Sequence, residues 1–183
     1  MKKTLLSLAL CGLLAATAAP AGAAKTGLKT LGTDPEGDGI PGLDVTYLKV
    51  GRAGADLEVR IGLLMTPQLG GYPDLPGIEW VFDANGRTFL AEAVKTAQGS
   101  DFYLFELAEN GSFEQLDSPT GTYEGSDGYA SILVPLEDIG ARKGTVIKGT
   151  DGLENGDVDA HVHVGPLTHY PDGMETDKTY VVP

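Results

Sequence analysis

Three histidines lie close together in the last quarter of this 183-residue chain, at positions 161, 163 and 169. His161 and His163 are two residues apart, so on a β-strand they belong to the same side and can together bind one Zn²⁺ or Cu²⁺ ion. His169 can return as a third ligand after a Gly-Pro turn, and Asp159 is in line with the pair. The His-x-His spacing also occurs in ordinary exposed strands, and no Glu-x-x-His or similar catalytic signature accompanies it. A transition-metal site and a solvent-facing strand therefore both remain open.

Two acidic, turn-rich loops supply a second set of candidate ligands. The first contains Asp34 and Asp38, with Asp44 close behind, and the second contains Asp157 and Asp159. Ca²⁺ takes about six to eight oxygen ligands, which carboxylates and loop carbonyls can provide together. The spacing is not that of an EF-hand. The sequence predicts a structural calcium site built from both loops if the fold brings them together. The alternative is a pair of solvated turns, since Asp and Gly are common turn residues.

A β-hairpin is predicted over residues 77–94, GIEWVFDANGRTFLAEAV. Its centre is the dipeptide Asn85-Gly86, which tolerates the positive φ that a type I′ turn requires at both central positions. A two-residue loop fixes the register of the hairpin, and the alternation of side chains then places Trp80 and Phe82 on one apolar side. We therefore expect Trp80, the only tryptophan, to lie in the core.

The same register sets two carboxylates against each other on the other side of the hairpin. Glu79 is predicted to lie directly opposite Glu92, where like charges repel. On an open surface this repulsion is worth less than about 1 kcal/mol, whereas in a concave site the pair would hold a cation or sugar hydroxyls. Glycosidases also use paired carboxylates, but no aromatic platform accompanies this pair, so a hydrolase is not predicted. Glu79 and Glu92 are therefore candidate ligand-binding residues.

Short alternating segments fill the rest of the chain. Residues 56–64 show the clearest alternation, and Gly, Asn, Asp and Pro turns separate most of the segments. No amphipathic helix longer than about two turns is predicted. Residues 135–141 are expected to form a short helical turn, and residues 24–31 an irregular lead-in. The pattern predicts an all-β fold, an antiparallel two-sheet β-sandwich of jelly-roll type with at most short helical turns.

The first 23 residues have the organisation of a secretory signal peptide. Lys2 and Lys3 precede an apolar stretch, and small residues with an Ala-x-Ala pattern end at Ala23. We expect cleavage after Ala23, a single domain over residues 24–183, and a secreted or periplasmic location. The signal peptide is of bacterial type.

The remaining chain is strongly acidic. Without Lys2 and Lys3 it has eleven Lys and Arg against twenty-six Asp and Glu. No basic run survives, so binding to nucleic acid or to an anionic membrane surface is not predicted. The only cysteine, Cys11, lies in the signal peptide, so the exported domain has no disulfide and depends on core burial, with Ca²⁺ as the expected cofactor.

Several segments together resemble a known group of secreted domains. An acidic DPEGD loop leads into LDVTYLKV and ADLEVRI, and WVFDANG and YASILVPLEDIG follow. This arrangement resembles the β-sandwich domains grouped with carbohydrate-binding module family 9 and the DOMON domains. The resemblance implies a jelly-roll-like sandwich, often with a structural Ca²⁺, that binds sugars or haem or serves as an accessory module. Family 9 sugar sites use two tryptophans, whereas this chain has Trp80 alone, and the spacing of Met65, Met174 and the histidines does not select haem.

The sequence therefore predicts a secreted, non-enzymatic accessory or ligand-binding module with a structural calcium site. Its expected partner is a glycan or another secreted protein. The alternative is a small secreted metal-binding or metal-dependent protein that uses His161, His163 and His169.

Overall fold

Thirteen strands occur in the described part of the chain. The computed structural model describes residues 27–35, 44–64, 77–96, 98–117, 119–124, 128–150, 160–163, 169–174 and 176–183. The strands are β1 (Lys29–Thr33), β2 (Asp44–Ala53), β3 (Asp56–Leu64), β4 (Gly77–Ala84), β5 (Arg87–Thr96), β6 (Gly99–Leu107), β7 (Phe113–Asp117), β8 (Thr120–Glu124), β9 (Tyr129–Pro135), β10 (Val146–Gly149), β11 (Ala160–His163), β12 (His169–Met174) and β13 (Thr179–Val181).

The strands form two antiparallel sheets, which we call the small sheet and the large sheet. The small sheet has the order β1-β2-β3-β9-β8, and the large sheet has the order β12-β11-β4-β5-β6-β7. Strand β10 joins the large sheet by pairing with the end of β4, and β13 pairs with β10. The predicted all-β, two-sheet antiparallel sandwich is therefore confirmed.

The predicted hairpin forms the middle of the large sheet. Asn85 and Gly86 both have positive φ, 54° and 76°, as the type I′ turn requires. The register is the predicted one, with Phe82 opposite Phe89 and Trp80 opposite Ala91. Local turn chemistry alone was enough to predict this element.

The apolar sides of the two sheets face each other and form one core. The Trp80 ring is fully buried and stacks on Phe82 with 4.3 Å between ring centroids, and Phe82 stacks in turn on Phe89 at 5.5 Å. The small sheet contributes the alternating apolar residues of β3, namely Leu57, Val59, Ile61 and Leu63. The burial of Trp80 confirms that it is a core residue, so it is not a surface platform for a sugar.

The predicted lead-in contains a strand. Strand β1 starts at Lys29, because its backbone pairs with β2 and the Leu31 side chain is fully buried in the core. The segment has only a few apolar residues, so its pairing comes from tertiary contacts that periodicity does not reveal.

The predicted helical turn at residues 135–141 is instead a series of tight turns. The Asp138 N–H donates to the Pro135 carbonyl at 3.2 Å, and the Gly140 N–H donates to the Glu137 carbonyl at 3.0 Å. Gly140 has a φ of 62°, which ends the series. The described residues contain no helix, and therefore no helix that is long and apolar enough to cross a membrane.

The last described residues are attached to the first ones. The Lys29 ammonium donates to the Thr179 carbonyl at 2.8 Å, and the Thr176 hydroxyl donates to the Leu31 carbonyl at 2.7 Å. The Val182 side chain is buried in the core, and its N–H donates to the Thr145 carbonyl at 2.9 Å. Both ends of the described chain therefore contribute to the sandwich.

Candidate functional site

The acidic loops are described only in part. Asp34 follows β1, and its N–H donates to the Thr46 carbonyl at 3.1 Å, while Asp44 opens β2 and is 4% exposed. The other predicted calcium ligands, Asp38, Asp157 and Asp159, lie outside the described residues. Among the residues whose side chains are described, which do not include the three histidines, no group of three His, Cys, Asp or Glu could hold a metal ion. The calcium site therefore stays a prediction.

The two predicted glutamates lie side by side on the outer side of the large sheet. Glu79 pairs with Glu92 across β4 and β5, and Tyr103 of β6 lies opposite Glu92. Glu79 is only 7% exposed, and Glu92 is half-buried. Val81 and Leu90 are also buried on this outer side, although they are not part of the main core. The carboxylate pair therefore lies in a partly covered patch.

Strand β11 brings two of the histidines next to this pair. His161 lies opposite Glu79 and His163 lies opposite Gly77 across β11 and β4. On the other side of β11, His163 lies opposite His169 of β12, and the register of this second pairing shifts between His161 and His163. The side chains of the three histidines lie outside the described part of the chain. The backbone register nevertheless brings together two features that are far apart in the sequence.

The outer side of the small sheet carries an aromatic and charged surface. Tyr47 of β2 and Tyr129 of β9 both lie opposite Gly62 of β3, one on each side. In the next row Lys49 and Ser131 flank Arg60 in the same way. We call this surface the tyrosine face and define it by Tyr47, Lys49, Glu58, Arg60, Gly62, Tyr129 and Ser131.

The Tyr47 ring occupies the space that a side chain at position 62 would fill, because residue 62 is a glycine. A Cβ atom at Gly62 would overlap the Cδ1 and Cε1 atoms of the Tyr47 ring and would lie 2.7 Å from the Thr46 hydroxyl. The Tyr47 ring therefore lies directly over the backbone of β3. Because Tyr129 approaches the same glycine from the other side, Gly62 separates two tyrosines on one sheet surface.

A network of charged groups orders the polar half of the tyrosine face. The Arg60 guanidinium donates to Glu58 Oε1 at 2.6 Å, and the Ser131 hydroxyl donates to the same oxygen at 3.0 Å. Glu58 is 7% exposed, and two donors offset the cost of burying its charge. The Arg60 guanidinium lies 4.6 Å from the centre of the Tyr129 ring. This arrangement restricts the arginine before any ligand binds.

Lys49 and Tyr47 form a second cation–ring pair. The Lys49 ammonium lies 4.0 Å from the centre of the Tyr47 ring. Burial raises the pKa of the Tyr47 phenol, and the nearby Arg60 charge partly opposes that increase. The phenol therefore stays protonated at neutral pH and can both donate and accept hydrogen bonds.

The sequence predicts the alternation of residues 56–64 but does not reveal the tyrosine face. The alternation in β3 indicated that Glu58 and Arg60 point away from the apolar side. Tyr129 is far from Tyr47 in the sequence, and only the pairing of β3 with β9 brings the two tyrosines together. The available signal was an aromatic residue at a polar position of each strand, but the strand order is needed to combine them.

No protein-family model, no curated protein and no solved structure matches this chain.

Proposed function

We propose that the protein is a secreted, non-enzymatic carbohydrate-binding module that binds sugars on the tyrosine face. One observation carries the proposal: Tyr47 and Tyr129 flank Gly62 on an outer sheet surface, beside the ordered Arg60–Glu58 pair. A sugar ring has an apolar C–H side that packs on an aromatic ring, while tyrosine combines such a ring with a polar hydroxyl. Arginine and carboxylate groups supply donors and acceptors for sugar hydroxyls.

The charges on the tyrosine face favour an acidic sugar. Lys49 and Arg60 carry two positive charges, and Glu58 carries one negative charge among the described side chains of this surface. These seven residues are therefore net positive in a chain with a formal net charge of −13, and the acidic positions next to them are Asp56 on β3 and Glu124, which lies opposite Tyr129 on β8. We therefore expect an oligosaccharide with carboxylate groups to bind more tightly than a neutral one of similar length.

The surface suits binding better than hydrolysis. Retaining and inverting glycosidases generally need two carboxylates that flank the bond to be broken. On the tyrosine face, Glu58 is the only carboxylate whose side chain is described, and Arg60 and Ser131 both donate to it. A carboxylate held in this way serves to position the arginine.

The test is isothermal titration of the purified mature protein with oligogalacturonate and with a neutral cello-oligosaccharide of equal length. We expect Tyr47→Ala and Tyr129→Ala each to weaken binding of the acidic ligand by about tenfold or more, which corresponds to about 1.4 kcal/mol. Tyr103→Ala is the matched control, because Tyr103 is a half-buried tyrosine on the outer side of the other sheet. Equal loss in the control, or no binding of any oligosaccharide, would contradict the proposal.

A second pair of variants separates ring position from charge. Gly62→Ala keeps every polar group but forces the Tyr47 ring to move, so we expect it to weaken binding of both ligands. Lys49→Met keeps an apolar side chain of similar length over Tyr47 and removes the charge, so we expect it to reduce only the preference for the acidic ligand. Gly27→Ala is the control for Gly62→Ala, because a Cβ at Gly27 has no atom within 4 Å.

A further inference from the structure

A row of metal-binding residue types crosses three adjacent strands of the large sheet. His161 on β11 lies opposite Glu79 on β4, and Glu79 lies opposite Glu92 on β5. Residues directly opposite each other in antiparallel strands belong to the same side of the sheet, and adjacent strands are about 4.8 Å apart. Position 161 and the two glutamates therefore lie within about two strand spacings on the outer side.

The neighbouring row of the sheet contains His169 on β12, His163 on β11 and a glycine on β4. His163, two residues from His161, belongs to the same side of β11 and lies opposite His169 on β12. Its partner on β4 is Gly77, which has no side chain beyond its α-carbon. His161 and His163 therefore occupy register positions beside the Glu79–Glu92 pair, and His169 lies one strand further away on β12.

The chemistry of these residues selects one class of ligand. Imidazole nitrogen combined with carboxylate oxygen suits Zn²⁺ and related transition-metal ions, whereas Ca²⁺ prefers oxygen ligands alone. Glu79 is 7% exposed and lies opposite the half-buried Glu92, so a bound cation would reduce the repulsion between the two carboxylates.

We propose that the outer side of the large sheet binds one divalent transition-metal ion, such as Zn²⁺, where the register places His161 and His163 of β11 beside Glu79 and Glu92. The site is independent of the tyrosine face, which lies on the other sheet. It also differs from the predicted calcium site, which would use the aspartates of the acidic loops.

The experiment titrates the metal-free mature protein with ZnCl₂ by calorimetry and follows the imidazole signals by NMR. Since the chain has only three histidines, each imidazole signal can be assigned by a single substitution. We expect one equivalent of Zn²⁺ to bind, the His161 and His163 signals to shift, and the melting temperature to rise. We expect CaCl₂ to leave the histidine signals unchanged.

Two carboxylate variants form the matched comparison. Glu79→Gln should weaken Zn²⁺ binding by about tenfold or more. Asp83→Asn should leave it unchanged, because Asp83 is an acidic residue on the same side of the same strand but pairs with Thr88 and Lys148. His163→Ala is a second test at a different strand and should weaken binding by a similar factor.

Three results would overturn the proposal. The first is the absence of Zn²⁺ binding, and the second is equal loss of affinity in Asp83→Asn and Glu79→Gln. The third is Zn²⁺ binding that shifts the histidine signals but is unaffected by Glu79→Gln, which would leave the glutamates outside the site. Melting curves of each metal-free variant separate loss of binding from loss of the fold.

Discussion

At the scale of single residues, Asn85 has a role beyond its turn. Its side-chain amide donates to the Gly140 carbonyl at 2.7 Å, and its side-chain oxygen accepts from the Thr145 hydroxyl at 3.5 Å. The turn of the central hairpin is therefore attached to the tight turns that follow β9. The sequence predicted the positive φ of Asn85, but its distant partners could not be inferred from local turn chemistry.

Replacing Asn85 by glycine separates these two roles. Asn85→Gly keeps a residue that tolerates positive φ but loses the hydrogen bonds to the second loop. We expect a loss of about 1 kcal/mol in the free energy of unfolding, measured by urea denaturation. Asn110→Gly is the control, because the hydrogen bonds that the Asn110 side chain accepts within the described part of the chain come from the nearby Ser112. A larger loss in the control would contradict this role.

Arg87 and Glu106 form an ion pair whose contribution depends on pH. Two hydrogen bonds from the Arg87 guanidinium lower the pKa of the Glu106 carboxyl below its usual value of about 4.3. Because the folded state lowers this pKa, its stabilising contribution is fully present above about pH 4.3 and disappears as the pH falls through the lowered value. Both side chains are partly exposed, so the contribution is about 0.5–1 kcal/mol.

The pH dependence is measured by urea denaturation of Glu106→Gln and the unmodified protein. We expect Glu106→Gln to be less stable at pH 7 and the difference to disappear near pH 3. Glu114→Gln is the control, since Glu114 lies opposite Glu106 on β7 and is exposed. Removing the Glu114 charge should leave the free energy of unfolding unchanged or raise it slightly. A difference for Glu106→Gln that persists at low pH would contradict the assignment to charge.

At the scale of strands and sheets, the contact between the two sheets depends on a residue without a side chain. A Cβ atom at Gly121 of β8 would lie 2.6 Å from the Phe102 ring of β6 and would also overlap the Ser131 carbonyl. The Phe102 ring therefore packs against the backbone of the opposite sheet. Sequence patterns did not indicate this glycine as a packing residue, because nothing local distinguishes it from a turn glycine.

Gly121→Ala tests this contact. We expect a loss of about 1–3 kcal/mol in the free energy of unfolding, because the methyl group must displace Phe102 or the strand. Thermal melting with Gly27→Ala as the control measures the effect, since Gly27 lies in open space. An unchanged melting temperature for Gly121→Ala would show that the sheets adjust at no cost.

Pairings between residues that are close in the sequence could be predicted, whereas pairings between distant segments could not. The hairpin of β4 and β5 was predicted with its register, because a two-residue turn and alternation determine it locally. The pairing of β3 with β9 and of β10 with β4 joins distant segments and was not predicted. The candidate sites follow the same rule, since Tyr47 with Tyr129 and His161 with Glu79 meet only through such pairings.

At the scale of the whole molecule, the final residues are part of the core. Val182 is 1% exposed, whereas its neighbour Val181 is 53% exposed. We expect Val182→Ala to lower the free energy of unfolding by about 1–2 kcal/mol, and Val181→Ala to change it by less than about 0.5 kcal/mol. Thermal melting of the two variants gives a matched comparison. Similar effects in both would contradict a core role for the final residues.

The attachment of the last residues to β1 has a consequence for how the chain folds as it is made. Lys29 and Leu31 bond to Thr179 and Thr176, so the small sheet gains these contacts only after nearly the whole chain has been synthesised. Contacts between such distant residues slow folding, and two-state β-sandwiches fold in about milliseconds to seconds. We expect stopped-flow refolding to be slow, and a chain truncated before Thr176 to refold to a less stable state.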